Sequence, residues 1–166
     1  ATCNGLRVWS VYCPNGREPS HDHYKYKLEW FTALNVTAKS EMADHPDLPF
    51  AVIGDYNIAP TDEDVWDIEK FVDSTHVTPA ERAALTDLEA VGLIETMPRS
   101  LKGEPYTFWD YRNGSFHRGW GMRIDLVYGN QVFTSLVQDS YVDRDARKGK
   151  GASDHAPVVV DLDLSV

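Results

Sequence analysis

With 166 residues, 42% of them hydrophobic and 25% charged, the chain has the makeup of one globular domain, long enough for a real core and too short for two. Its formal charge of −10 excludes a protein that coats nucleic acid by bulk electrostatics, so a polyanionic partner has to be met by a local basic patch or through metal ions. No run reaches the apolar length of a membrane span, no leader pattern is present, and Cys3 and Cys13 cannot by themselves build a zinc site or a disulfide framework, which reads as a soluble, intracellular protein with two plain thiols.

In chain order, Leu6 to Cys13 reads as a strand apolar on both faces and covered on both sides. Pro14-Asn15-Gly16 ends it with turn chemistry, leaving Tyr12 close to a strand end. Tyr24 to Met42 has helical spacing, with Tyr26, Trp30, Phe31, Leu34, Ala38 and Met42 on one apolar stripe that belongs in a core. A loop over 44–49 leads to Phe50-Ala51-Val52-Ile53, a short buried strand that stops at Gly54. Asp55-Tyr56-Asn57 follows. If the extended conformation continues, Asp55 and Asn57 point the same way and Tyr56 points into the opposite face, so that a carboxylate and a carboxamide share one polar site at the C-terminal edge of a sheet. The same residues also fit a plain Asx turn leaving a strand.

Thr61 can cap a short acidic helix carrying Val65, Trp66, Ile68 and Phe71, with Asp64 and Asp67 as solvated helix charges. Thr78-Pro79-Ala80-Glu81 combines a cap, a first-turn proline and a capping-box glutamate, followed by Leu85, Leu88 and Val91 and closed by Gly92. Leu93-Ile94 is a short apolar piece, and Tyr106 to Trp109 is strand-like. From Asp110 to Arg123, three arginines, a histidine and several aromatics lie in a glycine-rich stretch. Such side chains hold phosphates and press against sugars and bases, or else pin a surface loop to the core. Alternation from Met122 to Tyr128 places Asp125 on a strand, where a carboxylate needs a partner. Gln131 to Tyr141 carries no clear pattern, and 143–151 is a mobile basic loop with Arg144, Arg147, Lys148 and Lys150. A last strand alternates Val158, Val160, Leu162 and Leu164 with Asp161 and Asp163. Ser153-Asp154-His155 stands at its entrance. Adjacent side chains diverge, so these three cannot form a triad among themselves. Together with Asp55 and Asp125 they supply hard oxygen ligands for Mg²⁺, an imidazole for a phosphoryl oxygen and a carboxylate to hold that imidazole.

Six stretches in order carry a resemblance: Tyr12-Cys13-Pro14-Asn15-Gly16, Gly54 to Asp62, Thr78-Pro79-Ala80-Glu81-Arg82, Phe108-Trp109-Asp110-Tyr111-Arg112, Gly121-Met122-Arg123-Ile124-Asp125 and Ser153-Asp154-His155-Ala156-Pro157. The chain resembles the exonuclease III branch of the endonuclease/exonuclease/phosphatase family over nearly its whole length, with Tyr56 where the family commonly has Phe. The resemblance implies an α/β fold, a four-layer α/β/β/α sandwich. Residues 1–166 would be roughly the C-terminal two-thirds of that domain, lacking its N-terminal strands and the glutamate that is its principal metal ligand. On that reading the chain alone is expected to be poorly stable and catalytically deficient.

What it further implies is Mg²⁺-dependent hydrolysis of DNA phosphodiesters, with Mn²⁺ as a substitute: incision 5′ to abasic sites, exonuclease action from 3′ ends, and clearing of blocked 3′ termini. By the same resemblance, Asp55 orients and deprotonates water, Asn57 hydrogen-bonds the phosphate, Asp125 positions His155 to polarise a phosphoryl oxygen, and Tyr12 contacts the phosphate. The metal would lie at Asp55, Asn57, Asp154 and His155. Trp109, Tyr111, Arg112, Phe116, Arg118, Trp120 and Arg123 would grip double-stranded DNA at abasic sites or 3′ ends. The implied protein is a monomer without a membrane partner, cytoplasmic and acting at the nucleoid. Two other readings share these motifs: a phosphoinositide or phospholipid phosphoesterase, against which the DNA-branch stretch from Trp109 to Arg123 argues, and a non-catalytic DNA-binding remnant.

Overall fold

Phe50 opens the strand on which the larger sheet is assembled. In the computed structural model, which describes residues 1–164, this sheet contains β1 (Thr2–Cys3), β2 (Leu6–Tyr12), β3 (Phe50–Asp55), β4 (Ile94–Glu95) and β6 (Asp125–Gly129), in the order β1-β2-β3-β6-β4. The pair β2 and β3 is parallel, and the other pairs are antiparallel. A smaller sheet holds β5 (Arg99–Ser100), β7 (Val137–Val142) and β8 (Val158–Leu162), in the order β5-β7-β8.

Strand alternation divides the core between two faces. Phe50, Val52, Leu126 and Tyr128 meet Phe31, Leu34 and Ala38 of α1 (Asp22–Asp44) and Leu85 and Leu88 of α2 (Pro79–Ala90). On the other face, Ala51, Ile53 and Val127 meet Phe133 of α4 (Gln131–Leu136) and Val158, Val160 and Leu162 of the second sheet. Helix α1 is longer than the apolar stripe alone predicts, and its buried face includes Lys27, while Tyr26 is exposed. Helix α2 has the expected capping box, in which the Thr78 side chain accepts from the Glu81 backbone N–H and Glu81 accepts from that of Thr78.

Several expectations change. Strand β2 is not covered on both sides, since Ser10 and Tyr12 are exposed and its other residues are half-buried. Gly54 does not end β3 but lies within it, at φ 140°, and a Cβ there would stand 2.0 Å from the Val11 carbonyl oxygen. The close approach and the backbone angle both require glycine. The acidic helix after Thr61 is two separate 3₁₀ turns, Asp62–Asp64 and Ile68–Phe71. The unclear stretch from Gln131 becomes α4 and β7, with the Asn130 side chain capping the helix through the Phe133 N–H. No helix among the described residues is long and apolar enough to cross a membrane.

Candidate functional site

Three strand ends meet at one edge of the larger sheet. Tyr12 ends β2, Asp55 ends β3 and Asp125 begins β6, and the register pairs Tyr12 with Asp55 and Asp55 with Asp125. All three share the parity of Ala51, Ile53 and Val127, so they open toward the gap between the two sheets. Two carboxylates directly opposite one another repel. His155, just ahead of β8, enters this gap, with its Nδ1 at 2.7 Å from Asp125 Oδ2. The partner that Asp125 needs is therefore a residue thirty positions away in the chain. The Phe108 ring packs on the imidazole with centroids 5.0 Å apart, and the Ser153 hydroxyl accepts from the His155 backbone N–H at 3.1 Å. Buried Thr107 accepts from the N–H groups of both Ile124 and Asp125 through its hydroxyl, at 3.1 Å each, which fixes where β6 begins.

Asp55 and Asn57 do come together, but not by continued extension. Asn57 takes a left-handed φ of 51°, its backbone N–H donates to Asp55 Oδ1 at 2.8 Å, and its side-chain amide donates to Asp55 Oδ2 at 3.0 Å. The geometry is thus both the Asx turn and the shared polar site. Tyr56 is driven the other way as expected: it is fully buried against Phe31 and Tyr128, and its hydroxyl donates to the Val52 carbonyl at 3.0 Å. The Asn57 amide also donates to the Cys13 carbonyl at 3.0 Å, and its oxygen accepts from the Asn15 amide at 3.1 Å. Turn chemistry concealed this contact of Asn15, because Pro14-Asn15-Gly16 is equally plain as a strand terminator.

Electrostatics separates the two acids from the histidine. Burial, with the Asp125 charge adding to it, pushes the Asp55 carboxyl up to about 6, against the partial relief of the Asn57 N–H and His155. For His155, burial works against the imidazolium, but the hydrogen bond and charge of Asp125, with Asp55 and Asp154 beyond, outweigh it and hold the group above the ordinary histidine value. A carboxylate raised by burial thus lies in the field of an imidazole that Asp125 holds through Nδ1. The carboxylates of Asp55 and Asp154 are donors of the hard kind that a divalent cation takes. Among the described residues no three His, Cys, Asp or Glu side chains gather as a ligand set.

The residues expected to grip DNA split into two groups. Tyr111, Arg112, Phe116, Arg118 and Trp120 lie on the exposed or half-exposed stretch formed by a 3₁₀ turn (Arg112–Gly114) and α3 (Ser115–Arg118). Arg118 stacks over Trp120 at 4.5 Å, and Trp120 lies parallel to Trp66 at 4.8 Å. Trp109 and Arg123 are corrected. Trp109 is only 1% exposed, packed against Phe116 and Val142, and Arg123 is 2% exposed. The Arg123 guanidinium forks onto Asp64 at 2.6 and 3.0 Å and also binds Glu95, so none of its donors faces solvent as a phosphate ligand would require. Asp64, read as a solvated helix charge, is its buried counterpart. The loop after Asp143 is likewise more fixed than its composition suggests: Arg144 covers the Phe116 ring at 4.3 Å, and Arg147 lies 5.1 Å from both Tyr111 and Phe116.

The sequence profile of the Endonuclease/Exonuclease/phosphatase family matches residues 2–155, and the chain belongs to that family, in its exonuclease III branch. An exodeoxyribonuclease of Streptococcus pneumoniae is 32% identical over 123 residues, which covers 70% of this chain and 42% of the relative. A 3′ phosphatase from Neisseria, solved with a product DNA hairpin, superposes with a TM-score of 0.91 at 36% identity over 98% of this chain and 63% of its own. An AP endonuclease from Archaeoglobus fulgidus superposes with a TM-score of 0.85 at 28% identity over 95% of this chain and 61% of its own. The chain therefore spans about two fifths to three fifths of these proteins.

Proposed function

We propose that the protein containing this chain is a DNA repair nuclease, a hydrolase that breaks phosphodiesters 5′ to abasic sites and at DNA 3′ ends. The observation that carries this reading is the meeting, at one sheet edge, of the Asp55–Asn57 turn with the Asp125–His155 pair. The names of its relatives, an exodeoxyribonuclease, a 3′ phosphatase and an AP endonuclease, supply the substrate class. The exposed set Tyr111, Arg112, Phe116, Arg118 and Trp120 offers charge and flat rings to a DNA backbone and its unstacked ends.

On this reading Asp55, with its carboxyl near 6, is ionised at neutral pH yet basic enough to take a proton from water as the water oxygen attacks phosphorus. The P–O3′ bond breaks, and the released 3′ oxygen takes up a proton from solvent. Tyr12 orients the phosphate, and the Asn57 amide, whose two protons go to Asp55 and the Cys13 carbonyl, holds Asp55 in place. His155, held by Asp125, places positive charge on the phosphoryl oxygen where the transition state concentrates negative charge. Mg²⁺, with Mn²⁺ as substitute, is the cofactor of this reading. Of the residues expected at the metal, Asp55, Asn57, Asp154 and His155, the two carboxylates would hold it, and it would supply Lewis-acid stabilisation of the phosphoryl oxygens.

The test uses three duplexes, one with an internal abasic site, one with a recessed 3′ hydroxyl and one with a 3′ phosphate, each with Mg²⁺ and with a chelator. Chelator-sensitive hydrolysis that disappears in Asp55→Asn is the expected result. Turnover that survives both the chelator and the substitution would reject the reading.

A further inference from the structure

Lys27 sits on α1 with its side chain fully buried, in a stripe otherwise made by Phe31, Leu34 and Ala38. An ammonium group in that place is expensive unless every proton is used. Its Nζ donates to the Asn57 carbonyl at 2.6 Å, to Glu81 Oε1 at 2.6 Å, and more weakly to the Asn15 carbonyl and Thr75 hydroxyl at 3.3 and 3.4 Å. Asn15 and Asn57 are the same two residues whose side chains meet at the site. The Asn57 carbonyl accepts a second bond from His76 Nδ1 at 2.5 Å. Glu81, for its part, accepts from the Thr75 hydroxyl at 2.6 Å, from the His76 N–H at 3.0 Å and from Thr78 within the α2 cap.

Helices α1 and α2 therefore close on the backbone of a non-glycine residue held at a left-handed φ. A purely structural salt bridge would join two side chains. This one directs its strongest remaining donor at a main-chain oxygen of the site. We propose that Lys27, anchored by Glu81, is a positioning residue: it grips the Asn57 carbonyl and so keeps the Asn57 amide in the orientation that holds the Asp55 carboxylate. The clamp rests on the reading of Asp55, which Asn57 holds, as the base of the proposed hydrolysis.

The experiment compares the whole protein containing this chain with its double variant Lys27→Met/Glu81→Gln, which removes both charges together and leaves no unpaired buried ion. Hydrogen exchange of individual amides is read first. The clamp predicts that the Asn57 N–H exchanges about tenfold faster or more, while Val52 in the middle of β3 keeps its protection. Turnover on the 3′-phosphate duplex is read second, with kcat falling on the order of 100-fold and KM unchanged, as for a misplaced group that acts in the transition state. Unchanged Asn57 exchange, or full kcat despite faster exchange, overturns the clamp. Asn57→Ala keeps the two readings apart: full turnover in that variant rejects the role of Asn57 itself, whereas an inactive Asn57→Ala beside a fully active double variant rejects only the clamp.

Discussion

Two basic side chains, Lys27 and Arg123, are almost wholly shielded from water, at 0% and 2% exposure, yet they answer to different needs. Arg123 gives its donors to carboxylates, Asp64 and Glu95, and ties the turn after Thr61 and strand β4 to the start of β6. Lys27 has one carboxylate, Glu81, and turns its other donors toward main-chain and hydroxyl oxygens around Asn57. The two buried charges thus differ in the acceptors they meet, not in their burial.

The sharpest way to break this contrast is Arg123→Met, which strands two acids that had shared one cation. It is expected to cost about 3–5 kcal/mol in urea unfolding; a loss under about 1 kcal/mol would place Arg123 back among surface charges. Next comes Asp125→Asn, where hydrolysis should fall on the order of 100-fold or more because His155 loses both its orientation and its charge support. An NMR titration of His155 checks the cause, since its midpoint should drop in the variant from a value above the ordinary one.

A smaller effect of opposite sign is expected at Asp55. Its folded carboxyl is raised from 3.8 to about 6, so the fold favours the protonated form. The stability tied to it is full below about pH 4 and is lost as pH rises through 6. Asp55→Asn should therefore abolish turnover yet stabilise the protein by about 1 kcal/mol at pH 7.5, after allowance for partial exposure and for the lost bond to the Asn57 amide. That gain should vanish at pH 4, and thermal unfolding at the two pH values decides it. The smallest effect belongs to Arg118→Ala, which should leave unfolding within about 0.5 kcal/mol. It should reduce the slope of log affinity for duplex DNA against log salt by about one.

The parts of the site legible from the residues were those whose signal is local. Strand parity places Tyr56 in the core and Asp55 out of it, the Thr78 box starts its helix where the capping residues stand, and an acid on a strand announces a missing partner, found in His155. Charges that pair across the chain were not legible. Asp64 and Arg123 are 59 positions apart, Lys27 and Glu81 are 54 apart, and nothing in the spacing of either tells a solvated residue from a buried one. Trp109 failed for a related reason: an aromatic beside arginines looks the same whether the ring faces a base or, as here, Val142 and Ala156.

Gly54 bears on any library of variants of this chain. The Val11 carbonyl occupies the space that a single methyl group would need, so even alanine at this position should push β2 and β3 apart and misalign Tyr12 with Asp55, which those strands hold side by side. A selection for activity would then return only glycine here and only aspartate next door, though the first is a demand of packing and the second of chemistry. Selecting the same library for folding alone separates them, because position 55 then becomes free to vary while position 54 does not.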